Sequence, residues 1–225
     1  LASRPGTGGL PIVPPVPGRE ARGVYTFTRL DDVAAINQLI ATGAVNSAVV
    51  VGGGMIGIKA TDALCSRGVQ VTMLELAPRI LSAALDETAS RLMAARLRKA
   101  GVHVLTGTTL TAINSKDGQV CSVSLQDGSE VQAQLVVFGI GVRPNAAVAE
   151  GTDITLNRGI VVDRNMRTTS PDVYAAGDVA EAYDLVVDMN RIVAIWPNAY
   201  RRGAIVGAHI AGITSVDKGG VAMNA

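Results

Sequence analysis

Cysteine and histidine are scarce in this chain, with two of each among 225 residues. Cys65 and Cys121 lie far apart, one in a helical pattern and one in a strand pattern, so they build neither a disulfide framework nor a zinc site. Both are expected to be small buried residues without a redox role. His103 and His209 stand alone, with no carboxylate or cysteine at ligand spacing, which leaves no metal site and no histidine base. Charge of one sign is lacking too: 20 basic residues face 19 acidic ones, for a net charge of +1. Nucleic-acid and anionic-membrane partners need a clustered positive field, so neither is expected. The apolar runs are short and interrupted, which excludes a membrane-spanning helix. The N-terminus is proline-rich where a signal peptide would be charged and then apolar, so a reducing cytoplasm is the expected compartment.

What is present describes a globular protein. Hydrophobic residues make up 48% and mean hydropathy is +0.31, values that fit well-buried strands and argue against disorder. The length suits one large domain or two small ones. "RPGTGGLPIVPPVPG", Arg4 to Gly18, can form neither helix nor central strand and reads as an extended connector. "LDDVAAINQLIATG" places Val33, Ile36, Leu39 and Ile40 on one helical face, with Asp31 or Asp32 near the N-cap and Gly43 as the stop. "LDETASRLMAARLRKAG" is a second helix, capped by Asp86, with Ala89, Leu92, Met93 and Ala100 as its stripe.

From Val102 the period changes. "VHVLTGTTLTAI", "QVCSVSL" and "EVQAQLVVFGIG" are strand-like, and "KDGQ" and "QDGS" between them carry the Asp-Gly pairs of tight hairpins. "GIVVD" and "DVYAAGD" read as two further short strands, and "WPNAYRRGAIVGAHIAG" as a helix with Pro197 in its first turn. Gly203 and Gly207 lie four apart on that helix, a spacing that admits another backbone or a flat ligand.

"AVVVGGGMIGIKATDALCSRGVQVTMLEL", Ala48 to Leu76, carries the chemistry. Gly52, Gly54 and Gly57 form G-x-G-x-x-G between an apolar strand and a helix, where each glycine has its own task. Gly52 makes the turn, Gly54 lets a pyrophosphate approach the backbone, and Gly57 lets helix and strand pack closely. The helix start, at Met55 and Ile56, then turns free N–H groups toward the phosphates. Glu75 ends the second strand 23 residues after Gly52, near the spacing of a ribose-binding acid. Its carboxylate favours NAD over NADP by repelling a 2′-phosphate, whereas the nearby Arg79 can bind that phosphate. The plain alternative is a helix-packing glycine cluster with Glu75 merely solvated.

Six ordered segments resemble one family: "LASRP…IVPPVPG", "VVVGGGMIG", "GVQVTMLELAPRIL", "LVVFGIGVRPN", "TTSPDVYAAGDVA" and "WPNAYRRGAIVGAHIAG". The chain resembles, over nearly all its length, the FAD-dependent pyridine nucleotide-disulfide oxidoreductase superfamily (glutathione-reductase-like). Within it, the likeness is to the branch of NADH oxidases, rubredoxin and ferredoxin reductases, and NADH-dependent nitrite reductases. The resemblance implies an α/β fold: a Rossmann-like NAD-binding domain, parallel sheet plus β-meander, inserted in a partial FAD-binding domain. It divides the chain into residues 1–23 (FAD side), 24–141 (NAD domain) and 142–225 (FAD side). Gly141 joins the NAD residues. Gly177 and Asp178 of "YAAGDVA" match the flavin fingerprint whose acid holds the ribityl chain, and Trp196, Pro197 and Asn198 open the helix facing the pyrimidine edge of the flavin. Without the resemblance, Asp178 reads as a cap or turn acid.

The same resemblance implies a fragment, lacking the N-terminal FAD motif and the C-terminal interface domain, from a parent expected to be a homodimer. Two departures stand out. Lys59 occupies the position of a glutamate near the nicotinamide, either altering its docking or simply solvated, and Leu1-Ala2 replaces the "A-T-G" expected before "SRP". No catalytic residue is in view, because the cofactors carry hydride transfer. Two functions stay open. The parent is an NADH oxidoreductase passing electrons to oxygen, a disulfide or a small electron-carrier protein, or the chain as given is a nucleotide-binding module without turnover.

Overall fold

The computed structural model describes residues 7–222. The Ser3-Arg4-Pro5 anchor, the Leu1-Ala2 departure and the last three residues therefore lie outside the described residues. In chain order the elements are β1 (Gly9–Pro11), β2 (Val24–Thr26), α1 (Leu30–Ala41), β3 (Ser47–Val51), α2 (Met55–Cys65), β4 (Gln70–Glu75) and α3 (Glu87–Lys99). There follow β5 (His103–Thr106), β6 (Leu110–Lys116), β7 (Gln119–Leu125), β8 (Glu130–Gln132), β9 (Leu135–Phe138) and β10 (Val142–Pro144). The last are β11 (Ile160–Val161), β12 (Ala180–Asp184), β13 (Met189–Arg191) and α4 (Trp196–Ile210).

The described residues divide into two compact units, one of residues 11–141 and one of residues 7–10 with 142–222. In the first, β2, β9, β3, β4 and β5 form a sheet in that order, and every pairing is parallel. Strand β3 explains its own sequence. Its alternate residues Ala48 and Val50 face a core with Ile36 of α1, Ala60 and Leu64 of α2 and Ala94 of α3. Val49 and Val51 face the other way, into a core with Leu110, Ile113, Val120, Val123 and Leu125 of the antiparallel β6-β7-β8 meander. A strand covered on both faces must be apolar throughout. Each buried valine contributes about 1.5–3 kcal/mol.

Several boundaries differ from the sequence reading, each for a physical reason. The division falls after Leu10 where the resemblance puts it after Gly23. The proline-rich segment is extended, as expected, but Val13, Val16 and Ala21 bury against the meander core, and Pro17 accepts the Ile113 N–H at 2.9 Å. Asp31 and Asp32 do lie near the N-cap of α1, in its first turn; the N-cap itself is Arg29, with no side-chain cap, and Thr26 donates to Asp32. Asp86 does cap α3, accepting the Ala89 N–H at 2.8 Å. The buried face of α3 is nevertheless Ser90 and Ala94, with Met93 and Leu97 partly covered, while Leu92 and Ala100 are exposed. "EVQAQLVVF" is two strands, β8 in the meander and β9 in the parallel sheet. Between β6 and β7, Asp117 and Gly118 both have positive φ, the signature of a two-residue hairpin turn. Cys121 is exposed on β7, not buried; Cys65 is half-buried, and burial, aided by the Asp62 charge, pushes its thiol above the ordinary value.

The second unit is built around β11, β12 and β13, with Ile160, Val162, Met166, Val179, Ala182, Ile205 and Val206 as its core. "DVYAAGD" forms no strand: Tyr174 makes a single bridge to Arg167, and Gly177, with φ +80°, turns the chain into a short 3₁₀ segment, Gly177–Val179. Arg202 of α4 is buried and its Nε donates to Asp217 at 3.0 Å, pinning the segment beyond α4 beside β12, where Gly220 bonds Tyr183 and Leu185.

Candidate functional site

The glycine loop joins β3 to α2. Gly52 has φ +108°, and a Cβ there would meet the Gly139 carbonyl oxygen at 2.7 Å. A Cβ on Gly57 would sit 1.8 Å from the Gly52 oxygen, so strand, turn and helix approach as closely as backbones can. Gly139, which no sequence motif marks, completes the contact, since its Cβ would lie 2.8 Å from Gly57 Cα. Only a glycine just beyond the "LVVF" strand hinted at it.

Gly54 is different. It is the N-cap of α2 in an ordinary extended conformation, and nothing lies within 4 Å of where its side chain would be. Ile58 N–H is bonded to the Gly54 carbonyl at 3.0 Å, so the N–H groups of Met55, Ile56 and Gly57 have no acceptor within the helix. Met55 is exposed and Ile56 half-buried. An open cradle of N–H donors at the positive end of a helix holds an anion.

Glu75 stands beside this cradle, half-buried. Its Oε2 accepts the Gly53 N–H at 2.6 Å and its Oε1 accepts the Ala77 N–H at 2.7 Å. A carboxylate offers about four acceptor positions. Positions thus remain on both oxygens for a diol. Arg79 Nη1 donates to the Leu85 carbonyl at 2.6 Å and forms no ion pair among the described residues. Gly141 has φ +114° and open space in place of a side chain; its carbonyl accepts the Ile12 N–H at 3.0 Å. Lys59 is exposed on α2 and in no ion pair among the described residues. A cleft of about 710 Å³ along the edge strand β5, with Thr106, Thr108, Asp127 and Glu130 in its wall, contains none of the glycine-loop residues. No group of three potential metal ligands occurs among the described residues.

The second set of residues lies in the other unit. Asp178 is half-buried in the Gly177–Val179 turn, and its carboxylate accepts no hydrogen bond among the described residues, so it caps nothing there. That turn stands beside the first turn of α4: a Cβ on Gly177 would lie 3.7 Å from Ala199 Cβ. In α4, Ala199 N–H is bonded to Ile195 O at 3.1 Å, and Pro197 has no N–H. The N–H groups of Trp196 and Asn198 are therefore left open. Trp196 is 79% exposed, with Pro197 exposed beside it, and stacks on Tyr200 at 5.8 Å between ring centroids. The Asn198 side chain turns inward instead. It is buried, its Oδ1 accepts from Arg201 at 3.4 Å, and its Nδ2 lacks a partner and points toward Gly220. Gly203 and Gly207 have open space where side chains would be.

Comparison with known proteins shows the family and the fold. The family described as pyridine nucleotide-disulphide oxidoreductase matches residues 6–203. The chain is 33% identical over 211 residues to nitrite reductase [NAD(P)H] of Bacillus subtilis (strain 168), covering 92% of this chain and 25% of the relative. It is 34% identical over 199 residues to rubredoxin-NAD(+) reductase of Pseudomonas putida, covering 88% of this chain and 51% of the relative. Among solved structures, the NAD-dependent persulfide reductase from A. fulgidus superposes with a TM-score of 0.90 at 34% identity, covering 94% of this chain and 39% of that one. The chain thus spans between a quarter and about half of these relatives. It belongs to the pyridine nucleotide-disulphide oxidoreductase family.

Proposed function

We propose that this chain is the nicotinamide-binding part, together with a portion of the flavin-binding part, of an FAD-dependent NADH oxidoreductase. The observation that carries the reading is the pairing of an open, side-chain-free helix start at Gly54 with a carboxylate fixed beside it at Glu75. In this reading Met55, Ile56 and Gly57 hold the NADH pyrophosphate through their N–H groups, Gly52 and Gly57 set the turn, and Glu75 accepts from the adenosine ribose. Gly141 borders the same site. Residues 24–141 form the NAD domain, with the connector before Val24 packed onto it, and residues 142–225 belong to the flavin side.

When bound, FAD supplies the acceptor for a hydride from NADH. Asp178 would hold the ribityl hydroxyls with its unengaged carboxylate, and Gly177 would keep the turn beside α4. The open N–H groups of Trp196 and Asn198 would face the pyrimidine edge, where the positive end of the helix favours negative charge. Trp196 and Pro197 would border it; Asn198 contributes through its main chain, because its side chain is turned inward. The donor set fits that part of a flavin. The electrons would pass on to oxygen, a disulfide or a small electron-carrier protein, in a parent protein that is cytoplasmic and dimeric. No helix among the described residues is long and apolar enough to cross a membrane.

A second reading, a nucleotide-binding module without turnover, is favoured by one fact: the sequence holds a single glycine-rich loop, already assigned to NADH. Adding FAD and NADH anaerobically to the purified chain separates the two. Absorbance bleaching of stoichiometrically bound FAD is expected if the flavin side is sufficient, and free FAD that NADH leaves oxidised marks the module.

A further inference from the structure

The segment between β4 and α3, residues 76–85, is fastened at more points than a connecting loop needs. Ala77 N–H holds Glu75, and Ala77 O accepts the Gly107 N–H at 3.0 Å. Leu81 N–H donates to the Gly53 carbonyl at 2.8 Å, and the Ile80 methyl lies where a Cβ on Gly53 would go, at 2.8 Å. The Ile80 carbonyl accepts from the hydroxyl of Ser90 on α3 at 2.7 Å. Ala84 and Leu85 both donate back to the Leu81 carbonyl, closing one helical turn, and Arg79 caps the end of that turn at the Leu85 carbonyl. Leu81 itself has φ +51°, a left-handed conformation that a branched residue adopts only where its surroundings force it.

We propose that Arg79 and Ser90 are positioning residues for the dinucleotide, fastening residues 76–85 as a bracket that aims the Glu75 carboxylate and the Gly53 backbone at the adenosine ribose. On this account Arg79 does not receive a 2′-phosphate. Swinging it outward would orphan the Leu85 carbonyl at the turn's end, and a 2′-phosphate would still meet the Glu75 charge. The site therefore selects NADH over NADPH, although an arginine stands four residues from the ribose acid. Ser90, 1% exposed, touches no ligand and acts only through Ile80. The inference rests on the nicotinamide reading of the glycine loop.

Calorimetric titration of the purified chain with NADH and with NADPH, well below each variant's thermal midpoint, tests it. Arg79→Ala and Ser90→Ala are each expected to weaken NADH about ten-fold, with the preference over NADPH unchanged. Arg79→Lys should recover most of the loss, since an ammonium also reaches the Leu85 carbonyl. A phosphate receptor would behave otherwise: Arg79→Ala would keep NADH affinity and lose NADPH alone, which overturns the proposal. A purely structural role would lower the thermal midpoint and leave NADH affinity intact, which also overturns it. Should Arg79→Ala not fold, Ser90→Ala decides by the same readout. A wild-type chain that binds neither nucleotide overturns the nicotinamide reading itself; wild-type binding with unaffected variants overturns only the bracket.

Discussion

The starts of α2 and α4 are the same device built to different degrees of completion. At α2 the acid, Glu75, is held by two backbone N–H groups, the helix begins on a glycine with empty space above it, and the turn is locked by backbone contact at Gly57. At α4 the acid, Asp178, has no partner among the described residues, the helix begins on an exposed Trp196, and the nearest glycine, Gly177, has ordinary clearance. The first site is preorganised by its own unit. The second has open N–H groups but, among the described residues, nothing that fixes its acid, so on the proposed reading ligand binding should differ sharply between the two.

Changing the closest contact tests that contrast hardest. Gly57→Ala drives a methyl into the Gly52 carbonyl and should cost about 3 kcal/mol or more. Chemical denaturation would register it as a lower midpoint or no folded unit at all. In the other unit, Asp217→Ala strands the buried Arg202 and should cost about 3–5 kcal/mol. The same denaturation read at Trp196, the chain's sole tryptophan, should report that loss. Gly54→Ala separates fold from site: with nothing within 4 Å, stability should move by less than about 0.5 kcal/mol, yet the methyl occupies the phosphate cradle and NADH affinity should fall about ten-fold. Equal losses of stability at Gly54 and Gly57 would erase the distinction between locked turn and open cradle.

The smallest effect is one of pH. Asp184 is buried, which opposes its charge, but Arg191 and the N–H groups of Val186 and Val187 prevail and hold its carboxyl below the ordinary range. A depressed folded value means the stabilisation is full above about pH 4, the unfolded range, and is lost as pH falls through the folded value. Thermal midpoints between pH 6 and about pH 3 should fall more steeply for the wild type than for Asp184→Asn. Parallel curves would remove Asp184 from the account of the β12–β13 hairpin.

How much of this could be read from the sequence follows from the range of each interaction. The turn at Gly52, the acid at Glu75 and the Asp86 cap were legible because spacing along one strand-turn-helix unit dictates them. Gly139 and Ser90 were not, because their partners, Gly57 and Ile80, are joined to them only by folding. The stripe of α3 departs from its sequence pattern at Leu92 for the same reason: a buried serine that supports a carbonyl looks, in sequence, like a surface residue. The proline-rich segment is extended as its composition implies, but the core it packs against is not legible: Val13 and Val16, three residues apart, mark a partly buried side and not what covers it. Cys121 faces solvent because the β6–β7 register shifts at it: Asn114 pairs with Ser122 and Ser115 with Val120, so Cys121 is the extra residue of a bulge, which alternation along the sequence does not reveal.

The central claim, that the loop from Gly52 to Gly57 with Glu75 is a nicotinamide dinucleotide site, is tested most directly by titrating the folded 225-residue chain with NADH in a calorimeter. One saturable site is expected, weakened in Glu75→Ala without loss of fold. No heat from a chain whose circular dichroism and cooperative melting show it folded, or equal affinity in Glu75→Ala, would contradict it.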